Sequence, residues 1–437
     1  MFIQKTKLIR LLVFSFEFIM RRDSLKILFI TYFFPPYTGI GAVRTGRTAE
    51  KLLELGHDVR VISAKDQPVP ATLSTTFPSS KVSYTYAFDI DRIIYRFMSR
   101  EIVQKNKSKK GAGNFKSKCF KLAYKLYLRI TSVPDKNFGW YFFAKKEGEK
   151  IIKDFKPDII YSSSSPYTSH FIAKSLSKKF KIPWVAELRD LWADNYNVKK
   201  NILSDYLEKV TLQQAKSLVT VSDGFQKQLK KNNYPNVRVI RNAFDHSDFI
   251  RIIEKKKINK KNKIKIIYTG KIYTEGQDPS PLFKAISMNN DLKKKVEVFF
   301  YGYYSDLISE LTKKYSLEEN IIQCGMFSRE KAIEMQFSAD ILLYLNWNGF
   351  DQNGMISAKL FEYIAIQRPI LSIGDNKGDA SRIIVENNFG FFSNNSEKIA
   401  KFIRSINSFQ FNSHYIEKYE RTYQVKSLIK IFERTLS

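Results

Sequence analysis

Short unbroken apolar runs alternate along the chain with stretches whose apolar residues recur every three to four positions. The first run, Leu25–Thr31 (LKILFIT), lacks polar alternation, the pattern of a parallel strand buried on both faces. A proline- and glycine-containing loop follows, FFPPYTGIGAVR, and then a helical pattern over Thr45–Leu55 that Gly56 closes as a left-handed cap. His57–Ser63 (HDVRVIS) reads as the next strand. Further strands are expected at Asp158–Ser162, Pro183–Glu187, Ser217–Val221 and Val237–Arg241, mostly separated by helical stretches. Alternation of this kind predicts a doubly wound α/β sheet.

The pattern breaks at Lys255–Lys265 (KKKINKKNKIK), a charged stretch without apolar periodicity, and then restarts. Strands are expected at Lys265–Thr269, Val296–Tyr301, Ile321–Cys324, Asp340–Leu345 and Pro369–Ile373, and His414–Leu436 reads as helix. The expected organisation is an N-terminal extension over 1–24, a first Rossmann-like domain over 25–250, a linker over 251–264, and a second Rossmann-like domain over 265–405. C-terminal helices fill 406–437.

Two segments stand outside this scheme. Leu8–Met20 (LIRLLVFSFEFIM) is the most apolar run, yet Arg10 and Glu17 interrupt it and it falls short of the roughly 20 residues that span a bilayer. Three readings stay open: an upstream extension with Met20 as the true initiator, an interfacial membrane anchor, or a packed helix. The second segment is a basic insertion at 91–130. Within Phe115–Ile130, apolar residues at 115, 119, 122, 123, 126, 127 and 130 share one helical face, while Lys118, Lys121, Lys125 and Arg129 occupy the rest. Such a helix suits an anionic membrane surface; the alternative is an ordinary helix with one face packed and one solvated.

Composition narrows the partners. The 437 residues carry 73 Lys and Arg against 43 Asp and Glu, a net charge of +30 that implies a polyanionic partner: nucleic acid, anionic lipid or a phosphorylated substrate. An aromatic share of 14% argues against disorder. Two distant cysteines, Cys119 and Cys324, build no disulfide framework and favour a reducing, cytoplasmic setting. The lysines gather in the linker and one helix, without a recognised nucleic-acid module, so a basic nucleic-acid-binding protein is the weaker reading.

Candidate chemistry lies at strand ends. Gly39, Gly41 and Gly46 follow the first strand with a spacing that is not the dinucleotide fingerprint, and no acidic residue ends the second strand to hold a ribose, so a nicotinamide cofactor is not expected. The loop still permits close backbone approach to an anion, although such loops often serve only as tight turns. Glu187, Arg189 and Asp190 crowd the end of another strand, either as a site or as a structural clamp bridged by Arg189. In the second half, Gly270 and Lys271 end a strand. Beyond them Gly354, Met355 and Ile356 lead into a helical pattern in which Lys359 and Glu362 lie three apart, so on one face. A lysine with helix-terminal amides suits a diphosphate and a carboxylate suits ribose hydroxyls; the alternative is a surface ion pair.

Taken in order, FFPPYTGIGAVR, SSSSPYTSHFIAKSL, WVAELRDLW, VTVSDGF, VIRNAFD, YTGKIY, SADILLYL and GMISAKLFEYIAIQRPIL resemble the family 4 glycosyltransferases, bacterial enzymes of exopolysaccharide and O-antigen synthesis in particular. The resemblance implies the GT-B fold, two Rossmann-like domains facing across a cleft, and a retaining glycosyltransferase. The donor would be a nucleotide sugar and the acceptor a polyprenyl-diphosphate-linked saccharide at the inner face of the cytoplasmic membrane. It implies donor contacts from Gly39, Gly41, Gly270, Lys271, Gly354, Met355, Ile356 and Lys359, with Glu362 on the ribose and Gly325, Phe327 and Ser328 near the base. Lys271 and Lys359 would stabilise the leaving diphosphate, and Asp190, supported by Glu187 and Arg189, would stand on the acceptor side. No metal or other cofactor is expected. Two positions depart from the family: Gly354 stands where a first glutamate is usual, with Asp351 as a substitute, and Glu275-Gly276-Gln277 replaces a second lysine. A sugar-nucleotide epimerase of the same fold is the alternative activity.

Overall fold

A computed structural model describes residues 24–67, 69–88, 135–195, 202–249, 263–347 and 354–437. The extension before 24, the whole basic insertion with Lys118, Lys121, Lys125 and Arg129, most of the linker, and Asp351 lie outside the described residues.

The first sheet is built from β1 (Lys26–Thr31), α1 (Ile40–Glu54), β2 (Asp58–Ala64), β3 (Val82–Thr85), α2 (Tyr141–Phe155), β4 (Ile159–Ser164), α3 (Thr168–Phe180), β5 (Trp184–Leu188), α4 (Ile202–Leu212), β6 (Ser217–Thr220), α5 (Asp223–Lys231) and β7 (Val237–Val239). Its order is β3-β2-β1-β4-β5-β6-β7. β1 runs parallel to both β2 and β4, and β5 parallel to β4. All of β4 and β5, and β1 beyond Lys26, are buried, which is why these strands read as unbroken runs rather than alternating ones.

The second sheet contains β8 (Ile264–Thr269), α6 (Ser280–Ser287), α7 (Asn290–Lys295), β9 (Val296–Tyr301), α8 (Asp306–Tyr315), β10 (Ile321–Gly325), α9 (Arg329–Phe337), β11 (Ile341–Leu345), α10 (Lys359–Ile366), β12 (Ile370–Ile373), α11 (Asp379–Glu386), β13 (Gly390–Phe392) and α12 (Ser396–Arg404), with α13 (Arg421–Leu436) closing the chain. The strands are all parallel, in the order β10-β9-β8-β11-β12-β13. Side chains alternate between two cores, as the two-residue period of a strand requires. Ile266, Ile341, Leu343 and Leu345 pack on one face with Phe283, Ile308 and Ile403. Ile267, Leu342 and Tyr344 pack on the other with Ile333, Leu360, Phe361 and Ile383.

Packing divides the chain into two compact units, one holding the described residues up to Val219 with Ile429–Ser437, the other Thr220–Leu428. In the first, Phe432 of α13 meets Tyr161 of β4 edge-on at 5.3 Å, and Thr435 Oγ1 hydrogen-bonds Ser217 Oγ at 3.0 Å.

Three differences from the sequence reading have local causes. Helix α1 opens at Ile40 rather than Thr45, because Gly39 with φ 140° serves as its N-cap and the glycine-containing stretch joins the helix. The C-terminal helix is split: Ser413–Tyr419 forms a 3₁₀ segment, and Glu420 is extended where Phe244 N–H donates to Tyr419 O and Arg421 N–H donates to Phe244 O, at 3.1 and 2.9 Å. The short strands β3 and β13 were not expected; four and three residues are too few to show a period.

In each sheet the strand order reverses once, at β1/β4 and at β8/β11. Outside the carboxyl ends of such strand pairs, open α/β sheets hold their ligands. The loops after β1 and β8 carry the glycines and lysine singled out above.

Candidate functional site

Around the second reversal point, Gly270 ends β8 with φ +110°. A Cβ there would stand 3.1 Å from Lys359 Nζ, so glycine gives that ammonium its place. The same Nζ lies 3.9 Å from the centroid of the Tyr268 ring. Buried tyrosines floor the site. Tyr268 donates to Lys271 O at 2.9 Å, Thr269 N–H donates to Tyr363 OH at 3.1 Å, and Ser357 N–H donates to Tyr344 OH at 3.1 Å. Withdrawal from water pushes the Lys359 pKa down to about 7, against the upward pull of the Glu362 charge. An ammonium in that state gains strongly from an arriving anion.

Lys271 is exposed, with Nζ 4.9 Å from the Tyr273 ring centroid. The loop behind it folds around Gln277, whose amide donates to Leu345 O at 2.9 Å and accepts from Tyr273 N–H at 3.1 Å. In the stretch where the resemblance implies a second lysine, Gln277 is buried and structural.

Glu362 sits one turn along α10 from Lys359. Its Oε1 accepts from Arg329 Nε and Nη2, both at 3.3 Å, and Arg329 Nη2 also reaches Asp248 Oδ2 at 3.0 Å. The surface ion pair that the spacing of Lys359 and Glu362 allowed is therefore not the contact made; the partner is Arg329. The two carboxylates raise the Arg329 pKa, overcoming the opposing effect of burial. Gly325 ends β10 with φ +80°; Phe327 is exposed, its ring edge-on to Tyr301 at 5.4 Å. The Ser328 hydroxyl is already engaged, accepting from Lys331 N–H at 3.2 Å as the cap of α9.

Gly354 is buried, and the packing around it opposes the glutamate that the resemblance implies. A Cβ at this position would collide with the Phe225 ring and lie 2.7 Å from Phe225 N. Met355 and Ile356 are half-buried. The helix does not open at Gly354 as the sequence suggested but at Lys359, after a turn in which Tyr344 takes the Ser357 amide.

In the first unit, Glu187 pairs with Arg44, whose Nη2 and Nε reach Oε1 at 2.6 and 3.2 Å, while Ser163 Oγ donates to Oε2 at 2.6 Å. Burial alone would raise the Glu187 pKa, but Arg44 dominates and holds it below the usual value. Arg189 does not bridge Glu187 or Asp190. It donates from Nε to Ser164 O at 2.7 Å and from Nη2 to Ser165 O at 2.6 Å, and its Nη1 lies where a Cβ on Gly41 would be. Gly41 thus makes room for Arg189, a close approach that the sequence had assigned to a ligand. Around Gly39 there is open space. The Asp190 carboxylate has no hydrogen bond or ion pair among the described residues; crowding raises its pKa and the Arg189 charge opposes this.

Sequence reasoning missed Arg44, Ser163, Asp248, Arg329 and Phe225. Arg44 and Ser163 stood inside quoted motifs, but nothing in the sequence announced that both would meet Glu187, Arg44 from 143 positions away and Ser163 from 24. Among the described residues, no group of three or more His, Cys, Asp or Glu is arranged to hold a metal ion, and no helix is long and apolar enough to cross a membrane.

Comparison with known proteins agrees with this architecture. Residues 117–248 match the model of Glycosyltransferase Family 4. An uncharacterised glycosyltransferase of Methanocaldococcus jannaschii is 26% identical over 258 residues, 54% of this chain and 64% of that relative, so the match spans less than two thirds of the relative's length. The apo form of a lipopolysaccharide outer core galactosyltransferase aligns with a TM-score of 0.58 and 13% identity, over 94% of this chain and 100% of that one. The UDP-GlcNAc 2-epimerase of Methanocaldococcus jannaschii aligns at 0.51 and 11%, over 94% and 100%. The fold is GT-B, with two parallel Rossmann-like sheets. Matched segment, relative and fold agree with the resemblance carried by the motifs, with residues 117–248 similar to family 4 glycosyltransferases.

Proposed function

We propose that this protein is a retaining glycosyltransferase that moves a hexosyl or N-acetylhexosaminyl group from a nucleotide sugar to a lipid-linked saccharide in cell-surface polysaccharide synthesis. One observation carries the donor-site reading. The Lys359 ammonium, with no carboxylate in contact among the described residues, lies against Gly270 at the carboxyl end of β8, the reversal point of its sheet.

The chemistry follows from the leaving group. As the glycosidic bond of the donor breaks, negative charge grows on the β-phosphate of a nucleoside diphosphate. Fixed cations stabilise that charge more in the transition state than in the ground state. Lys359 and Lys271 supply them, with the backbone at Gly270 leaving room for the diphosphate. Glu362 accepts hydrogen bonds from the ribose, and Gly325 and Phe327 approach the base. Asp190, a carboxylate without a hydrogen bond or ion pair among the described residues, serves the acceptor side. A polyprenyl-diphosphate acceptor accounts for the net charge of +30, since each basic group near an anionic bilayer adds about 1 kcal/mol. The working place is accordingly the cytoplasmic face of the membrane.

Incubation with a panel of nucleotide sugars and lipid-linked saccharides, read by mass spectrometry, tests this. A glycosylated acceptor with released nucleoside diphosphate is the expected product. The likeness to an epimerase supplies the second reading, for which an altered nucleotide sugar would form with no acceptor present. Failure to consume any nucleotide sugar sinks both.

A further inference from the structure

We infer that the first unit seats on an anionic lipid bilayer through an aromatic corner formed by Tyr86, Phe88, Phe142 and Phe143. This rests on the membrane placement proposed above and names the surface that makes it. Every exposed large apolar side chain among the described residues of that unit lies in one of two places: this corner, or the start of α4 with Ile202, Leu203 and Tyr206. The unit's other large apolar side chains are buried or half-buried. At the corner Phe142 is 65% exposed and Tyr86 51%, more than half of each ring standing in solvent. Apolar groups gathered in this way mark a surface that meets a partner.

The rings are fixed by what lies beneath them. Tyr86 and Phe88 follow directly on β3, and Phe142 and Phe143 stand in the first turn of α2. Trp140 Nε1 donates to Thr85 Oγ1 at 2.7 Å, and Phe88 O packs so closely on Gly139 that a Cβ there would collide with it. Tyr86 meets Phe143 edge-on at 5.2 Å, and Phe142 meets Phe138 edge-on at 6.2 Å. From Phe138 the ring contacts continue inward through Phe171 to Trp192, at 6.0 and 5.6 Å, so the exposed rings stand on a packed base. Rings held this way suit the head-group level of a bilayer, phenyl groups toward the chains and the tyrosine hydroxyl toward water. Charge selects the partner. Between Phe88 and Asp135, the two ends of the chain that meet at this corner, residues 89–134 carry twelve Lys and Arg against three Asp and Glu. Two copies of a chain with net charge +30 repel one another where such a surplus is rooted, whereas an anionic bilayer attracts it.

The test sediments wild type and the double variant Phe142→Ser with Phe143→Ser in the presence of vesicles. One set is phosphatidylcholine alone; in the other a third of the lipid is phosphatidylglycerol. Wild type should bind the anionic set far better than the neutral one. The double variant should bind the anionic set about tenfold more weakly, with a melting temperature within a few degrees of wild type because both rings are exposed. Phe142→Trp supplies a direct readout that does not depend on weakening anything. Brominated acyl chains should quench its emission beyond that of wild type, whose Trp140, Trp184 and Trp192 are buried. Anionic-vesicle binding by the double variant within twofold of wild type overturns the inference, as does a Phe142→Trp emission that brominated lipid leaves unchanged. A double variant that melts well below wild type, with that emission unquenched, makes the corner a seat for the chain's own residues 91–130 and overturns it too. So does loss, in the double variant, of a dimer that light scattering detects in wild type, which assigns the corner to a second copy. If wild type binds neither set of vesicles, the membrane placement fails and takes this inference with it. Wild-type binding that the double variant keeps removes this inference alone.

Discussion

The ammonium of Lys359 rests 3.9 Å from the ring centroid of Tyr268, against an aromatic face rather than a carboxylate among the described residues. Withdrawal from water outweighs what that contact and the Glu362 charge return, so the pKa of the group is pushed down to about 7. An arriving diphosphate favours the charged form and raises this pKa.

Proton uptake on donor binding is the consequence. Below pH 7 Lys359 is already charged, so affinity for a nucleoside diphosphate should be nearly flat with respect to it. Above pH 7 each binding event takes up a proton, and affinity should fall by at most about tenfold per pH unit until the pKa of the complex is reached. Calorimetric titrations in two buffers of different ionisation enthalpy read the proton directly. Lys359→Met should bind weakly with no such slope between pH 7 and 9, and the empty variant should melt higher because a desolvated cation is gone. A slope that survives in Lys359→Met assigns the proton elsewhere.

Lys271 and Glu362 make separable demands. Lys271→Ala should lower kcat by roughly a hundredfold, as expected when a cation aimed at developing charge is lost. Glu362→Ala should act mainly through donor KM. Both side chains reach solvent, so the melting temperature of each variant should stay within a few degrees of wild type. Near-full transfer by both purified variants would refute the donor-site assignment.

Much of the fold was legible because buried strands advertise themselves: after a single lysine near the start, LKILFIT and IKIIYT run on without charge or polar alternation. The glycines and the lysine at their ends were legible too, and the proposed donor site is read from Gly270 and Lys271 after β8. What stayed hidden was pairing across distance. Arg44 and Glu187 lie 143 positions apart, and Arg329 and Glu362 33 apart, so charge alone could not say which acid each arginine would choose. Gly41 illustrates the same limit: its lack of a side chain was visible, but that the space goes to Arg189 was not.

Gly354 gives a prediction about an absent group. Restoring the family's carboxylate by Gly354→Glu should not improve transfer, because the side chain would have to enter space held by Phe225. Even Gly354→Ala meets the Phe225 backbone nitrogen at 2.7 Å, an atom that cannot swing aside as a flexible side chain would. Overpacking of this kind costs about 1–3 kcal/mol, or roughly 3–10 °C in melting temperature for a unit of this size. Scanning calorimetry of the alanine variant checks it; an unchanged melt would mean that Phe225 yields easily and that another cause must explain the glycine.

The Arg44–Glu187 pair offers the sharpest stability test, because both side chains are almost wholly buried, at 5% and 2% exposure. Removing Arg44 leaves Glu187 with the hydrogen bond from Ser163 and no direct cation. Arg44→Ala should cost about 3–5 kcal/mol near pH 8. The sign of its pH dependence then reverses. In wild type the Glu187 pKa is depressed by folding, so its contribution is complete above the unfolded value near 4.3 and is lost as pH falls through the folded value. In Arg44→Ala burial is no longer outweighed, the folded pKa moves above the unfolded one, and stability should decline as pH rises through it. The variant should therefore unfold at a higher denaturant concentration at pH 5 than at pH 8, and Arg44→Ala with Glu187→Gln should remove that difference. Equal midpoints for Arg44→Ala at the two pH values would show that Glu187 has found another cation, and Arg189 is the one beside it.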